Sequence, residues 1–298
     1  MKPRWIIGTA LAILLLCASI LFFAGALAAE AALRPPRHNV ASVCPCIAHV
    51  TCRNAQVNAP DGTRLSGWYF EPDASNGGAV LLLHGVGDTR EGVVSLGSVF
   101  LRKGYAVLTP DLRGHGESGG LTTYGVAEAQ DVHEWADWML RQPHIARIYG
   151  FGASLGGAEL LEALDAEPRF RAVIAESAYS SFPGIAYERM RRAIPDGWKW
   201  LTGPFVDSGI WWARLRYGVD LRHASPVDAV RRTHVPVLLI HGLKDDRTAP
   251  DNSRILADAN SRATQLWLIP AAGHANAWAT DRPEFESRVL AWFGDMRR

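Results

Sequence analysis

The chain has 298 residues, of which 48% are hydrophobic and 20% are charged. Its 31 lysines and arginines nearly balance its 30 aspartates and glutamates, so the formal net charge is +1. This balance argues against a nucleic-acid partner, which ordinarily requires a basic surface, whereas the length and apolar content suffice for one large α/β domain.

The first predicted element is a long apolar helix, because the run Trp5–Ala29 contains no charged residue. At about 1.5 Å per residue this run measures roughly 38 Å, enough to cross the ~30 Å hydrocarbon core of a membrane with some tilt. We therefore predict that residues 1–33 form a transmembrane anchor. A signal peptide cleaved at Ala26–Ala28 and a helix buried in the fold are the alternatives. The anchor and the signal peptide both place the following domain outside the cytoplasm.

Residues 34–56 are predicted to be a linker, since two consecutive prolines near its start cannot continue a helix. The linker contains three cysteines, which cannot all pair within one chain. We expect a disulfide between Cys52 and either Cys44 or Cys46, in agreement with an oxidising compartment. A zinc site would need His49 as its fourth ligand, and the cysteine spacing is not that of the usual zinc-ligand pair, so no metal is expected.

From residue 57 to residue 298 the pattern predicts an α/β domain with a mostly parallel, doubly wound sheet. The dipeptide Asp61-Gly62 is typical of a hairpin turn between two antiparallel strands. The continuous apolar run Ala79–Leu83 is typical of a parallel strand that is buried on both faces. Further strands are predicted over 105–109, 145–151, 171–175, 237–240 and 266–269, and helices over 93–103, 126–140, 158–166 and 284–296.

Two polar loops follow predicted strands at the edge of the sheet where open α/β proteins place their sites. In acyl-transfer enzymes of this build, one backbone N–H of the oxyanion hole comes from the first such loop, and we assign it to Val86 within residues 84–88. His84 is expected to shape this loop rather than to react. In the second loop, Asp111 and Arg113 are expected to hold the backbone, with direct substrate contact as the alternative.

The pentapeptide Gly152–Gly156 has the pattern G-x-S-x-G of a nucleophile elbow. It lies between a β-prone run and a helical run, so Ser154 would occupy a tight strand-to-helix turn. The residues two positions before and after the serine must be small to let the chain pass. The N–H of Leu155, at the start of the helix, is then the second candidate oxyanion donor. An ordinary glycine-rich turn is the alternative.

Two further residues complete a candidate catalytic triad. Asp245 follows a predicted strand, and His274 lies on a loop before the terminal helix. The order Ser154, Asp245, His274 along the chain is the order expected for this sheet topology. Asp246 and Glu176 are the alternative acids, since the first neighbours Asp245 and the second ends the preceding strand.

Taken together, these motifs resemble those of the α/β-hydrolase superfamily, and in particular its Bem46-like and serine aminopeptidase-like groups. The matching residues are His84-Gly85, Asp111-x-Arg113-Gly114-x-Gly116-x-Ser118, Gly152-x-Ser154-x-Gly156-Gly157, His241-Gly242-x-x-Asp245 and Gly273-His274. The resemblance implies a serine hydrolase with the α/β-hydrolase fold whose catalytic residues are Ser154, Asp245 and His274. It implies no metal and no organic cofactor.

Between residues 177 and 232 the buried-strand pattern is missing, and aromatic residues alternate with arginines. We predict a helical cap that is inserted over the site. Its aromatic residues are expected to form the small core of the insertion and its contact with the sheet, with a lid that binds an acyl chain or touches a membrane as the alternative. Arg189, Arg191 and Arg192 are expected on a solvated helix face, with an anionic head group as the alternative partner.

The sequence therefore predicts a membrane-anchored or exported serine hydrolase that cleaves carboxylic esters, including lipids, with thioesters next. A peptidase of the aminopeptidase type is the enzymatic alternative, and a non-catalytic binding protein on the same fold is the alternative from another class. The expected partners are a small-molecule ester or lipid substrate and, through the N-terminal segment, the membrane.

Overall fold

The computed structural model describes residues 4–295, which form an eight-stranded sheet covered by helices. The strands are β1 (Val50–Asn58), β2 (Arg64–Pro72), β3 (Gly78–Leu83), β4 (Ala106–Pro110), β5 (Arg147–Ala153), β6 (Phe170–Glu176), β7 (Val237–Gly242) and β8 (Thr264–Ile269). Their order across the sheet is β1-β2-β4-β3-β5-β6-β7-β8. The pairs β1–β2 and β2–β4 are antiparallel, and the remaining neighbours are parallel, so the predicted doubly wound sheet is confirmed.

Helices cover both faces of this sheet. They are α1 (Arg4–Leu33), α2 (Val94–Leu101), α3 (Glu128–Leu140), α4 (Leu155–Ala163), α5 (Phe182–Ala193), α6 (Thr202–Tyr217), α7 (Pro226–Arg232), α8 (Asp251–Ala259), α9 (Ala277–Thr280) and α10 (Arg282–Asp295). Met296, the predicted end of the last helix, lies outside the described residues. Successive side chains of β3 enter opposite cores, since Leu81 packs under α3 and α4 while Leu82 packs under α2 and α10. A strand buried on both faces must be apolar throughout, which explains the unbroken run in the sequence.

The sheet begins earlier in the chain than the hairpin signal suggested. β1 starts at Val50 and pairs with β2 as far as Pro72, so the boundary predicted at residue 57 falls inside a strand. Cys44 is bonded to Cys52 at the start of β1, with their Cα atoms 6.0 Å apart, and Cys46 is a free, exposed thiol. The second half of the predicted linker is therefore joined to the domain through both the sheet and the disulfide.

The predicted cap is present as α5 and α6, joined by a 3-10 turn over Asp196–Leu201. The expectation that its aromatic residues pack within the cap or against the sheet agrees with the burial of Tyr179 and Phe182. It is wrong for Trp198, Trp200 and Trp211, which are 58%, 69% and 46% exposed. These three indole rings therefore do not belong to a core of the cap.

The N-terminal helix α1 has two different parts. Residues Ile7–Leu33 are long and apolar enough to cross a membrane, which is consistent with an anchor or a signal sequence, and most large side chains before Gly25 are exposed. The C-terminal part instead packs on α6 and ends with Leu33, which is fully buried. There Glu30 accepts hydrogen bonds from Trp212 Nε1 and the Tyr217 hydroxyl, both at 2.7 Å. The C-terminal part of α1 is therefore an element of the folded domain.

The packing of α1 on α6 depends on close contact at Gly25. A Cβ atom at this position would lie 1.9 Å from Ser208 Oγ and 2.6 Å from the Phe205 carbonyl oxygen. Because the second contact is with helical backbone, the two helices would have to separate. We expect Gly25→Ala to destabilise the protein by about 1–3 kcal/mol, as overpacking ordinarily does.

The thermal unfolding midpoint of the full chain in detergent micelles measures this effect, with Gly8→Ala as the matched control. A Cβ at Gly8 meets no atom within 4 Å, and alanine favours a helix over glycine, so the control should keep or slightly raise the midpoint. Equal midpoints for the two variants would contradict the close packing of α1 on α6.

Candidate active site

Ser154 occupies the turn between β5 and α4 with a left-handed backbone, φ 54°, which is rare for a residue other than glycine. Steric crowding explains why glycine occupies the positions two residues before and after Ser154. A Cβ at Gly152 would lie 2.3 Å from the Gly156 carbonyl oxygen, and one at Gly156 would lie 2.6 Å from the His84 carbonyl oxygen. The turn therefore has the strained geometry expected of a nucleophile elbow.

The structure brings together the three residues predicted as a triad. Ser154 Oγ lies 2.8 Å from His274 Nε2, and His274 Nδ1 lies 2.8 Å from Asp245 Oδ2. Ser154 and His274 are 120 residues apart in the chain. In the neutral imidazole, Nδ1–H donates to the carboxylate, which leaves Nε2 as the acceptor of the serine hydroxyl proton. This is the arrangement that a general base needs to activate a serine.

The carboxylate of Asp245 is buried, and both of its oxygens accept hydrogen bonds. Oδ1 accepts from the backbone N–H groups of Arg247 at 2.9 Å and Thr248 at 2.8 Å. Oδ2 accepts from His274 and lies 3.2 Å from His241 Nε2. Burial by itself raises the pKa of this carboxyl, but the hydrogen bonds from His241, His274 and the Thr248 N–H outweigh burial and hold the pKa well below its usual range. Asp245 is therefore ionised and held in one orientation.

His241 supports this acid and was seen in the sequence only as part of a motif. Its Nδ1 lies 2.6 Å from the hydroxyl of Ser253, and its Nε2 lies 3.0 Å from the carbonyl oxygen of Thr248. The carbonyl can only accept, so Nε2 carries the proton, and Nδ1 accepts from the serine. The same proton faces Asp245, which explains why the motif begins with a histidine. Its position directly after the strand predicted over 237–240 was the available signal, and the structure extends this strand to Gly242.

Among residues 4–295, neither alternative acid forms a hydrogen bond or an ion pair with His274. Asp246 is exposed at the rim of the site. Glu176 is buried, where its Oε1 accepts from the Ala277 N–H at 2.8 Å, and burial raises its pKa to about 7. The neighbouring Ser177 hydroxyl accepts from the Ala275 N–H at 3.1 Å. The end of β6 thus holds the loop that carries His274, a role that sequence reasoning missed because only the fold brings these segments together.

The two candidate oxyanion donors border the nucleophile. Val86 and Leu155 both line a cavity that reaches Ser154. Among residues 4–295, neither of their backbone N–H groups donates a hydrogen bond. Leu155 is the first residue of α4, so its N–H has no acceptor within the helix. These two amides are available to an anionic oxygen next to Ser154.

Two neutral histidines hold the loop that carries Val86. His84 Nε2 accepts from the Leu112 N–H at 3.0 Å, and its Nδ1 donates to the Gly85 carbonyl at 2.8 Å. His115 Nε2 accepts from the Gly87 N–H at 3.1 Å. Burial lowers the pKa of His84 and lowers that of His115 to about 4, so both rings accept these bonds at neutral pH. His84 therefore lies where the sequence places it, as a residue that shapes the loop.

The positions of Asp111 and Arg113 agree with the expectation that these residues hold the loop backbone. Asp111 is buried and binds Arg90 through the Arg90 N–H at 2.8 Å and Nε at 3.0 Å. Arg113 is paired with Asp131 on α3 and with Asp61 in the β1–β2 turn. Arg90, which the sequence analysis did not single out, joins the first loop to the second through this buried ion pair.

The site opens into a cavity of about 760 Å³ that is bordered by Ser154 and His274. Arg189, Arg191 and Arg192 of α5 are exposed, as expected of a solvated helix face, and Arg189 and Arg192 also line this cavity. Arg192 is paired with Glu188 at 2.6 Å. The rest of the cavity wall contains apolar residues and acidic residues. They include Leu96, Phe151, Trp278, Asp88 and Asp246.

Comparison with known proteins decides the family, since residues 93–297 match the prolyl oligopeptidase family. The chain belongs to this family. It is accordingly a serine hydrolase of the α/β-hydrolase fold, as the resemblance implied.

Among the relatives of this prolyl oligopeptidase family member is the uncharacterized protein YqkD of Bacillus subtilis. It is 26% identical over 242 residues, which are 79% of this chain and 77% of YqkD. The lysophosphatidylserine lipase ABHD12 of Mus musculus is 30% identical over 194 residues, which are 61% of this chain and 45% of that protein.

Solved structures support the fold. The Pyrococcus furiosus esterase Pf2001 superposes with a TM-score of 0.70 at 22% identity, covering 88% of this chain and 98% of the esterase. The acylaminoacyl peptidase of Pyrococcus horikoshii superposes with a TM-score of 0.60 at 21% identity, covering 80% of this chain and 40% of the peptidase. At these identities the likeness concerns the fold alone.

Proposed function

We propose that this family member hydrolyses carboxylic esters through an acyl-enzyme on Ser154. The observation that carries the proposal is the continuous hydrogen-bond chain from Ser154 Oγ through the His274 ring to Asp245, with both contacts at 2.8 Å. The strained elbow and the two unbonded amides of Val86 and Leu155 support it, since they provide the nucleophile and the oxyanion hole of acyl transfer.

In the proposed reaction, Ser154 Oγ attacks the ester carbonyl carbon while His274 Nε2 takes its proton. Asp245 keeps the proton on Nδ1 and stabilises the imidazolium that forms. The negative oxygen is held by the Val86 and Leu155 N–H groups, and one such donor is ordinarily worth about 10²–10³ in rate. His274 returns the proton to the leaving alcohol, and water, deprotonated by the same nitrogen, releases the acid.

Esters are favoured as substrates because the named relative ABHD12 is a lipase and the superposed Pf2001 is an esterase. The large apolar share of the cavity wall, with Leu96, Phe151 and Trp278, suits an ester with apolar groups. Thioesters react by the same route and are included in the proposal.

A peptidase of the aminopeptidase type is the second candidate. The acidic side chains of Asp88 and Asp246 line the cavity, where they would attract the amine of a peptide N-terminus. The superposed acylaminoacyl peptidase shares the fold. Against this candidate, Arg189 and Arg192 line the same cavity and offset the acidic charge.

We further propose that residues 1–33 anchor the protein in a membrane and that the domain from about residue 57 onward lies outside the cytoplasm. Retention of the helix is supported by the contacts of its C-terminal part. Cleavage at Ala26–Ala28 would remove Gly25 from the interface with α6. The disulfide between Cys44 and Cys52 fits an oxidising compartment.

The substrate proposal is tested with the full chain in detergent micelles, using aminoacyl ethyl esters, the matching aminoacyl anilides and acyl thioesters. We expect turnover of the esters and thioesters and less than about one-hundredth of that rate for the anilides, whose nitrogen is a poorer leaving group. Comparable ester and anilide rates would favour the peptidase. No turnover, together with no fluorophosphonate adduct, would favour a binding protein.

A further inference from the structure

The reacting centre lies between two cavities that differ in their lining. His274, which must protonate the leaving group, borders the large cavity of about 760 Å³. A second cavity of about 150 Å³ meets Ser154 beside Val86 and Leu155, the candidate oxyanion donors. The leaving group must lie within reach of His274, so the large cavity is the leaving-group side. The acyl group then extends into the second cavity.

A third cavity of about 130 Å³ lies further from the nucleophile, between α1, α5 and α6. Its lining residues are all apolar: Gly25, Ala28, Ala29, Ala32, Phe182, Ala186, Met190, Phe205, Val206, Gly209, Ile210 and Leu221. Three of them, Ala32, Phe182 and Ala186, also line the second cavity. The second and third cavities are thus adjacent, and together they lead from Ser154 to the face of α1.

We propose that the second and third cavities form one tunnel for the acyl chain of a lipid ester, and that α1 is one of its walls. This proposal rests on the proposed ester hydrolysis and specifies its substrate class. The four residues that α1 contributes to the third cavity are glycine and alanine, whose small side chains leave room for a chain of methylene groups. The third cavity has no group that would bind a polar acyl substituent, whereas the second cavity, next to the nucleophile, is also lined by Tyr124, Tyr179 and Arg189.

The position of α1 also supplies a route to the tunnel. The helix that forms its wall continues toward the N-terminus as an exposed apolar surface that includes Leu11, Leu15 and Phe23. When these side chains are in a bilayer, the wall of the tunnel is continuous with the hydrocarbon phase. Trp198 and Trp200, exposed on the cap, favour the interface beside it. A lipid ester can therefore reach Ser154 with its acyl chain leaving the membrane along α1.

The tunnel predicts that kcat/KM of the full chain in micelles rises with acyl length, by up to about fourfold for each methylene that enters it. Ala32 borders both cavities and is half-buried, so Ala32→Phe places a ring in the tunnel. The ratio of kcat/KM for 4-nitrophenyl octanoate to that for 4-nitrophenyl acetate should fall at least tenfold. The matched control is Ala31→Phe, because Ala31 is exposed on the same helix. It should keep the wild-type ratio, which separates tunnel binding from partition of long esters into micelles.

A second variant, Ala186→Phe, places a ring in the tunnel from α5, because Ala186 also borders both cavities. It tests the tunnel if Ala32→Phe does not fold. Unchanged octanoate-to-acetate ratios in a folded variant at either position, or an equal fall in Ala31→Phe, would overturn the tunnel. The two proposals fail differently. Wild-type protein that hydrolyses the acetate without preferring longer chains contradicts the tunnel alone, whereas wild-type protein that hydrolyses no ester contradicts the proposed function.

Discussion

Ser154→Ala is expected to lower kcat for ester hydrolysis by at least about 10⁴-fold, because removal of the nucleophile eliminates the acyl-enzyme route. The residual rate would come from the oxyanion donors and substrate binding alone. The fold should survive. The backbone N–H of residue 154 donates to the Glu176 carbonyl at 2.8 Å whichever side chain is present, and alanine tolerates the positive φ no worse than serine.

Fluorophosphonate labelling followed by mass spectrometry tests directly whether Ser154 is the nucleophile. The wild-type protein should carry the adduct on Ser154, and Ser154→Ala should carry none. Ser261→Ala is the matched control, since Ser261 is exposed and remote from the cavities that border Ser154, and it should keep wild-type kinetics and labelling. Wild-type turnover in folded Ser154→Ala would refute the assignment of the nucleophile. Circular dichroism establishes that each variant is folded.

Asp245→Asn should lower kcat by about 10⁴-fold, the second largest effect, because a neutral amide cannot stabilise the imidazolium and permits the wrong tautomer of His274. The carboxylate also accepts from the backbone at Arg247 and Thr248 and from two histidines. An amide group has only one oxygen, so its NH2 would face hydrogen-bond donors. We therefore expect a lower thermal midpoint as well.

The adjacent residue provides the control for this prediction. Asp246→Asn makes the same chemical change at an exposed side chain, so we expect kcat within about threefold of wild type. Steady-state kinetics on one ester, with thermal unfolding of both variants, separates a catalytic loss from a loss of fold. A large loss in Asp246→Asn together with an active Asp245→Asn would reverse the assignment of the acid.

The arrangement of the sheet and the elbow could be predicted because their causes are local. An apolar run without alternation marks a strand covered on both faces, and β3 has Leu81 and Leu82 in opposite cores. A serine in a tight turn requires small residues two positions away, and the structure shows backbone atoms within 3 Å of where a Cβ would lie at Gly152 and Gly156. These requirements involve residues that are close together in the chain, so they can be recognised in the sequence.

The support around the candidate triad could not be predicted in the same way. His241 faces Asp245 only because the loop after β7 folds back, and Ser177 reaches Ala275 across 98 residues. The start of β1 at Val50 was missed because half of its side chains are exposed and its pairing partner lies beyond the hairpin. In each case the partner comes from a distant part of the chain, and a residue's own neighbours carry little information about it.

The sequence by itself determined that the first helix is apolar and long enough to cross a membrane, and that a Ser…Asp…His order follows on an α/β sheet. Only the tertiary structure decided that the C-terminal part of α1 packs against α6 at Gly25, and that the exposed side chains of Arg189 and Arg192 border the cavity at Ser154. The reason is physical. Hydrophobic periodicity and turn sterics depend on adjacent residues, whereas cavities and helix contacts depend on which surfaces remain uncovered once the sheet has formed.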